Sequence, residues 1–175
     1  MREILRKYSK CEFGRELFSG NPIPILRVSG GKTTADVADW GYLTQKGKRV
    51  YNARSETLLE KPLFGKDFVQ NRCVIPVIGF CEWDGDGTGW DFLPQEEEML
   101  YLADVCRKKT EGWEATVVTE HASGCVGEIH HRTPLILSGE NLRQWLYDEG
   151  QARQFLEEAK ERVLLKRKKM EGETL

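Results

Sequence analysis

Three short polar clusters, each beside an apolar run, carry the residue types that chemistry needs. The first is Asn52-Ala53-Arg54-Ser55-Glu56-Thr57. Asn52 offers an amide that can orient a ligand, and Arg54 a rigid donor fork suited to phosphate or carboxylate. Glu56 reads as the partner that positions Arg54. The second cluster is Glu82-Trp83, which follows the apolar run Val77-Ile78-Gly79-Phe80-Cys81. A carboxylate at the end of a buried strand can acquire a raised pKa and act as an acid or base. Trp83 can stack on a base or pack at a rim. The third is Glu128-Ile129-His130-His131-Arg132-Thr133-Pro134. An extended segment would put His130 and His131 on opposite faces. Histidine exchanges a proton near neutral pH, and Arg132 suits a phosphate or a carboxylate. Taken alone, each cluster is more simply a polar turn, a strand end or a strand entry. Three of them beside apolar segments read as one composite pocket.

Other chemistries lack their motifs. The Asp84-Gly85-Asp86-Gly87-Thr88-Gly89 stretch looks like a calcium loop but has no ordered downstream Glu. Five cysteines, at 11, 73, 81, 106 and 125, show no CxxC pair, and the three histidines lie within eleven residues. No zinc set follows from that spacing. No metal and no cofactor is expected. There is no phosphate-binding GxxxxGK[ST] loop and no GxSxG elbow. Cys81 and Cys125 remain the candidates for cysteine-dependent catalysis.

The elements that must position these groups belong to one domain. The chain has 175 residues, 39% hydrophobic and 31% charged, which suits a single core without metal or disulfide staples. With 26 basic and 28 acidic residues the formal charge is −2, which excludes a generally basic binder but leaves room for a local basic groove. No apolar run reaches the ~18–20 residues that span a membrane. Irregular cysteines point to a reducing, cytoplasmic setting. The first 18 residues have near-helical apolar spacing, weakened by Gly14. Strands are expected at Ile25–Val28, Arg49–Arg54, Cys73–Trp83 as one long run, Met99–Val105, Trp113–Thr119 and His130–Leu137. Ser138 can cap a helix carrying Leu142, Trp145 and Leu146, with a second helical surface at Phe155 and a break at Gly150. Residues 166–175 read as a flexible basic-to-acidic tail. Non-adjacent strands with peripheral helices make the class α+β.

In order along the chain, four segments resemble motifs of the SOS-response-associated peptidase (SRAP) family, also known as abasic-site processing proteins. They are Trp40-Gly41-Tyr42, Asn52 to Thr57, Gly79-Phe80-Cys81-Glu82-Trp83, and Ile129 to Pro134. Each motif is short; their order and spacing carry the signal. The resemblance implies a mixed fold with a β-barrel-like core, peripheral helices and a positively lined groove for single-stranded DNA. It implies recognition of an abasic site and a DNA–protein crosslink. In the family, the residue after the initiator methionine is a cysteine. Its α-amine attacks the ring-opened aldehyde to give a Schiff base, and its thiol then closes a thiazolidine. The resemblance carries catalytic roles onto Asn52, Glu82 and His130, and DNA-binding roles onto Trp40, Arg54, Trp83 and Arg132. The chain departs at its start, which reads Met1-Arg2-Glu3 and has no cysteine at position 2. Cys11 is too far along to replace it. Two expectations follow: a shortened member that keeps DNA binding without thiazolidine chemistry, or a start internal to a longer reading frame. The leading expectation is an abasic-site-associated single-stranded DNA-binding protein. The alternatives are a cysteine-dependent peptidase and a noncatalytic nucleic-acid-binding or structural domain.

Overall fold

The computed structural model describes residues 17–95, 98–158 and 164–169. Cys11 and nearly all of the expected N-terminal helix lie outside them. Among the described residues, no helix is long and apolar enough to cross a membrane.

Five strands form the frame: β1 (Pro22–Ser29), β2 (Lys32–Trp40), β6 (Arg72–Val77), β9 (Leu100–Lys108) and β10 (Trp113–His121). β1 pairs antiparallel with β2 and β6, β6 with β9, and β9 with β10. A short parallel ladder, Trp113 to Ala115 against Ala38 to Trp40, joins β10 back to β2. The pairings thus close a circuit, as the expected barrel-like core requires.

Register fixes what faces inward, because residues two apart share a face and paired residues share it across strands. The inward row of β1 reads Arg27, Ile25, Ile23. Its counterparts are Thr34, Asp36, Ala38 on β2, with Trp40 next on the same face, and Cys73, Ile75, Val77 on β6. On β9 the row is Cys106, Asp104, Leu102, Leu100, and on β10 it is Trp113, Ala115, Val117, Thr119. The buried apolar members of these rows pack as one cluster. The opposite row, including Leu26, Val74, Ala103, Val105 and Val118, packs against Leu58, Phe68, Trp145 and Phe155 from outside. Those come from the end of the 3-10 turn Ser55–Thr57, which Leu58 caps, and from α1 (Gly65–Gln70), α3 (Asn141–Tyr147) and α4 (Glu149–Glu157). Trp145 is fully buried and donates its indole N–H to the Cys73 carbonyl at 2.9 Å. Buried Arg72 donates to the Phe68 carbonyl at 2.7 Å and the Trp145 carbonyl at 2.6 Å. One guanidinium thereby satisfies the carbonyl-rich ends of two helices.

Shorter strands decorate the ring. β3 (Tyr42–Leu43) pairs with β4 (Arg49–Val50). β5 (Asn52–Arg54) runs parallel to β10, with Asn52 opposite Val117 and Arg54 opposite Thr119. After α2 (Gly124–Gly127), β11 (Arg132–Pro134) returns along the other edge of β10, and β12 (Ile136–Leu137) joins β9. A separate sheet contains β7 (Phe80–Trp83), β8 (Gly89–Pro94) and β13 (Leu164–Lys168).

Four expectations change. The run Cys73–Trp83 is two strands in two sheets, broken at Ile78-Gly79, where pairing with β9 ends at Val77 and pairing with β8 begins at Phe80. His130 and His131 lie in a turn and not in a strand, so they do not take opposite faces; their ring centroids are 4.5 Å apart. The last helices break at Asp148 and not at Gly150, because Asp148 leaves helical geometry and caps α4 by accepting from the Gln151 N–H at 3.0 Å. Ser138 does support α3, accepting from the Asn141 N–H at 3.3 Å. The tail expected from residue 166 starts instead as strand. Lys166 meets Glu128 and the Trp90 ring, and Arg167 reaches the buried Asp91 at 3.3 Å. Fixed acceptors hold a charge run that is otherwise free to wave. Residues 170–175 are outside the described residues.

Candidate functional site

The inward rows end at one mouth of the ring. There they open into a cleft of about 750 Å³. Its floor is apolar: Ile23, Ile75, Leu102 and Val117. The polar groups stand above that floor. Asn52 and Arg54 arrive from β5, whose middle residue Ala53 is buried in the outer core. That alternation alone turns Asn52 and Arg54 toward the cleft. Both are exposed, and neither side chain has a hydrogen-bonding or ionic partner among the described residues.

Glu82 and Trp83 enter from β7 on the facing wall. Burial raises the Glu82 carboxyl above the usual range, and nearby His130 partly offsets this. Glu82 Oε2 lies 3.8 Å from His130 Nδ1, within ion-pair reach but beyond a hydrogen bond. His130 is held by backbone. Its N–H donates to the Val126 carbonyl at 2.9 Å. Its Nδ1 sits 3.2 Å from the Arg132 N–H and 2.9 Å from the Arg132 carbonyl. An unprotonated Nδ1 accepts from that N–H, and a protonated one donates to that carbonyl.

Trp83 is exposed, with Lys169 Nζ 5.7 Å from its ring centroid. Trp40 also lines the cleft but spends its indole N–H on the Tyr51 carbonyl at 3.2 Å. Gly41 next to it has φ +108, and a Cβ there would meet the Tyr51 ring at 2.6 Å. Only glycine lets Trp40 face the cleft while Tyr42 enters the outer core.

Arg132 lies in the cleft wall with its charge already matched. It donates to Glu56 Oε1 at 2.6 Å and Oε2 at 3.0 Å, and to the Thr119 carbonyl at 2.6 Å. These bonds hold the Glu56 carboxyl below its usual range, against the opposing effect of burial. So Glu56 pairs with Arg132, not with Arg54 as its sequence neighbourhood suggests. The partner is 76 residues away and reaches Glu56 across β10. The apolar floor was equally invisible as a site, although its residues follow the strand alternation.

Of the cysteine candidates, Cys81 lines the cleft, whereas Cys125 does not and turns its thiol toward the Leu164 carbonyl at 3.7 Å. Cys73 and Cys106 are buried in the ring, where burial pushes the Cys73 thiol up. A thiol in that state is a poor nucleophile. The Asp84 loop satisfies itself: the carboxylate accepts from the Asp86 and Thr88 N–H groups and the Trp90 indole. Among the described residues, no group of three His, Cys, Asp or Glu is placed to hold a metal ion.

The fold has known counterparts. A solved protein from Bacteroides thetaiotaomicron matches with a TM-score of 0.69 at 20% identity, over 88% of this chain and 77% of that one. A solved phage-related protein from Bordetella bronchiseptica matches with a TM-score of 0.69 at 19% identity, over 81% and 74%. In sequence, the chain is 31% identical over 119 residues to the abasic site processing protein YoqW of Bacillus subtilis, covering 63% of this chain and 53% of that protein. It is 33% identical over 124 residues to the abasic site processing protein HMCES of Gallus gallus, covering 54% and 37%. The chain thus spans about half or less of the curated relatives it matches. The model of the SOS response associated peptidase (SRAP) family matches residues 12–171. With nearly the whole chain under that match, and the ordered motifs gathered at one cleft, the chain belongs to the SRAP family.

Proposed function

We propose that the cleft binds single-stranded DNA at an abasic site and manages the ring-opened sugar. The observation that carries this reading is the meeting of Asn52, Glu82 and His130 over an apolar floor, from three segments far apart in sequence. The relatives named as abasic site processing proteins support the same substrate. A ring-opened abasic sugar presents an aldehyde and flanking phosphates. Asn52 offers donor and acceptor to the sugar hydroxyls. Arg54, exposed at the rim, takes a phosphate. Trp83 and Trp40 give flat surfaces for the neighbouring bases.

Imine formation joins a primary amine to the aldehyde carbon, with one water lost. That step needs a proton delivered to the departing hydroxyl and one removed from nitrogen. Glu82, its pKa raised by burial, holds a proton closer to neutral pH than an open carboxylate would. His130 beside it takes or returns a proton.

The test is incubation with single-stranded abasic DNA, with and without borohydride, followed by denaturing electrophoresis and intact mass. A borohydride-fixed adduct that Glu82→Gln lacks supports the covalent reading. Preferential, salt-sensitive binding of abasic over intact strands without an adduct limits the function to recognition. Equal, weak binding of both strands and no adduct removes the proposal.

A further inference from the structure

We infer that Glu56 is a positioning residue for His130, acting through Arg132, and that Arg132 is a brace and not a phosphate clamp. The inference takes His130 as part of the reacting pocket and so rests on the function proposed above.

The two ends of the ion pair come from segments on opposite edges of β10. Glu56 lies in the 3-10 turn Ser55–Thr57, directly after the β5 residues Asn52 and Arg54. Arg132 opens β11, two residues after His130. β5 and β11 flank the same strand: Thr119 on β10 registers with Arg54 on one side and Pro134 on the other. The two-oxygen grip of Arg132 on Glu56 therefore spans β10 and ties its two flanking strands together. The third bond, to the Thr119 carbonyl, pins the guanidinium to the strand it crosses. The side chain of Arg132 is 11% exposed, with its Nε buried. Planar, bidentate pairs of this kind fix geometry as well as charge.

What the brace sets is the Arg132 backbone, and that backbone is the cradle of the His130 ring. Both Arg132 N–H and Arg132 carbonyl lie within hydrogen-bond distance of Nδ1. Moving Arg132 moves both, and with them the ring angle and the nitrogen turned toward Glu82. The charged and titratable groups around His130 are Glu82 at 3.8 Å and His131 at 4.5 Å between ring centroids; exposed His121 lies 3.4 Å from Glu56. A guanidinium already matched by a carboxylate also has little attraction left for a phosphate. Arg54, without such a partner among the described residues, is a cation available to the backbone of the DNA.

The test reads His130 directly. Side-chain nitrogen NMR across pH, with His130→Asn to assign the signals, reports the ring tautomer and titration without any substrate. In Glu56→Gln we expect the His130 tautomer ratio to change about threefold or its titration midpoint to move. We also expect the single-turnover adduct rate to fall about 10- to 100-fold, the loss that a misplaced reacting group causes. DNA affinity should not fall, since no phosphate contact is removed and the Arg132 cation is freed of its carboxylate. Glu56→Asp, which keeps the charge, should recover part of the rate. Arg132→Lys keeps the cation but loses the two-oxygen grip, and should shift His130 in the same way; it serves if Glu56→Gln does not fold. Unmoved His130 signals in these variants overturn the inference. So does a loss of DNA affinity in Arg132→Lys with a shallower salt dependence, which would make Arg132 a phosphate contact. If the His130 signals move but the wild-type protein forms no adduct, the positioning role stands and the proposed chemistry falls.

Discussion

The two mouths of the five-stranded ring are built from the same inward rows and are finished in opposite ways. At one mouth Arg27 pairs with Asp36 at 2.6 Å and lies 4.0 Å from the Trp113 ring centroid. A cation, an anion and an aromatic ring consume one another there and plug the opening. At the other mouth Asn52 and Arg54 have no such partners among the described residues, and Glu82 is only loosely matched by His130. The residue types are alike; the pairing differs. Charged and aromatic side chains become a lid when they satisfy each other, and a site when the fold keeps them apart.

Changes at the two mouths should therefore separate activity from stability. The largest effect is expected for Glu82→Gln at the open mouth: the adduct rate should fall about 100-fold or more, with the unfolding midpoint nearly unchanged. Similar losses of rate and stability would mean that Glu82 is structural. At the closed mouth, Trp113→Ala should cost about 2–3 kcal/mol in urea unfolding and leave DNA affinity near wild type in the folded fraction. An equal loss of affinity would erase the contrast.

Midway between the mouths, Asp104 is wholly buried and neither of its carboxylate oxygens has a hydrogen-bond partner among the described residues. Burial, with Cys106 nearby, raises its pKa well above the ordinary value. Above about pH 4 the unfolded chain releases this proton while the folded chain keeps it, so stability falls as pH rises. Asp104→Asn removes that dependence. It should flatten the urea midpoint between pH 5 and 8 and gain about 1 kcal/mol or more at the alkaline end. Parallel curves for the two proteins would show that the Asp104 proton is lost in the fold as readily as outside it.

The smallest effect expected is for Arg54→Ala. It should weaken DNA binding several-fold and lower the slope of log affinity against log salt by about one. An unchanged slope would place the phosphate elsewhere.

Much of the site was legible because its motifs are local. Asn52 and Arg54 flank a small residue on a short strand, and the alternation that buries Ala53 presents them together. Glu82 and Trp83 stand at a strand end, as their neighbours suggested. The ring pairing that makes these segments meet was not legible: β2 and β10 join through three register pairs separated by some 75 residues. Nor was the partner of Glu56, because the nearest arginine in sequence is two positions away and the true one crosses a strand that no local pattern announces. The single long strand over Cys73–Trp83 misled for a related reason. The apolar run continues through Ile78-Gly79 unbroken, so composition cannot register a change of sheet.

That step acts as a phase selector. Ring pairing ends at Val77, and the second sheet begins at Phe80. Side chains on a strand alternate with a period of two, so one residue inserted between Ile78 and Gly79, with the β7 path kept, would carry every β7 side chain one position on and leave the ring registers intact. Cys81 would then stand opposite His130 where Glu82 now lies 3.8 Å away, and the acid would take the place of Trp83. In this chain the length of the link, more than its composition, sets whether an acid or a thiol faces the histidine.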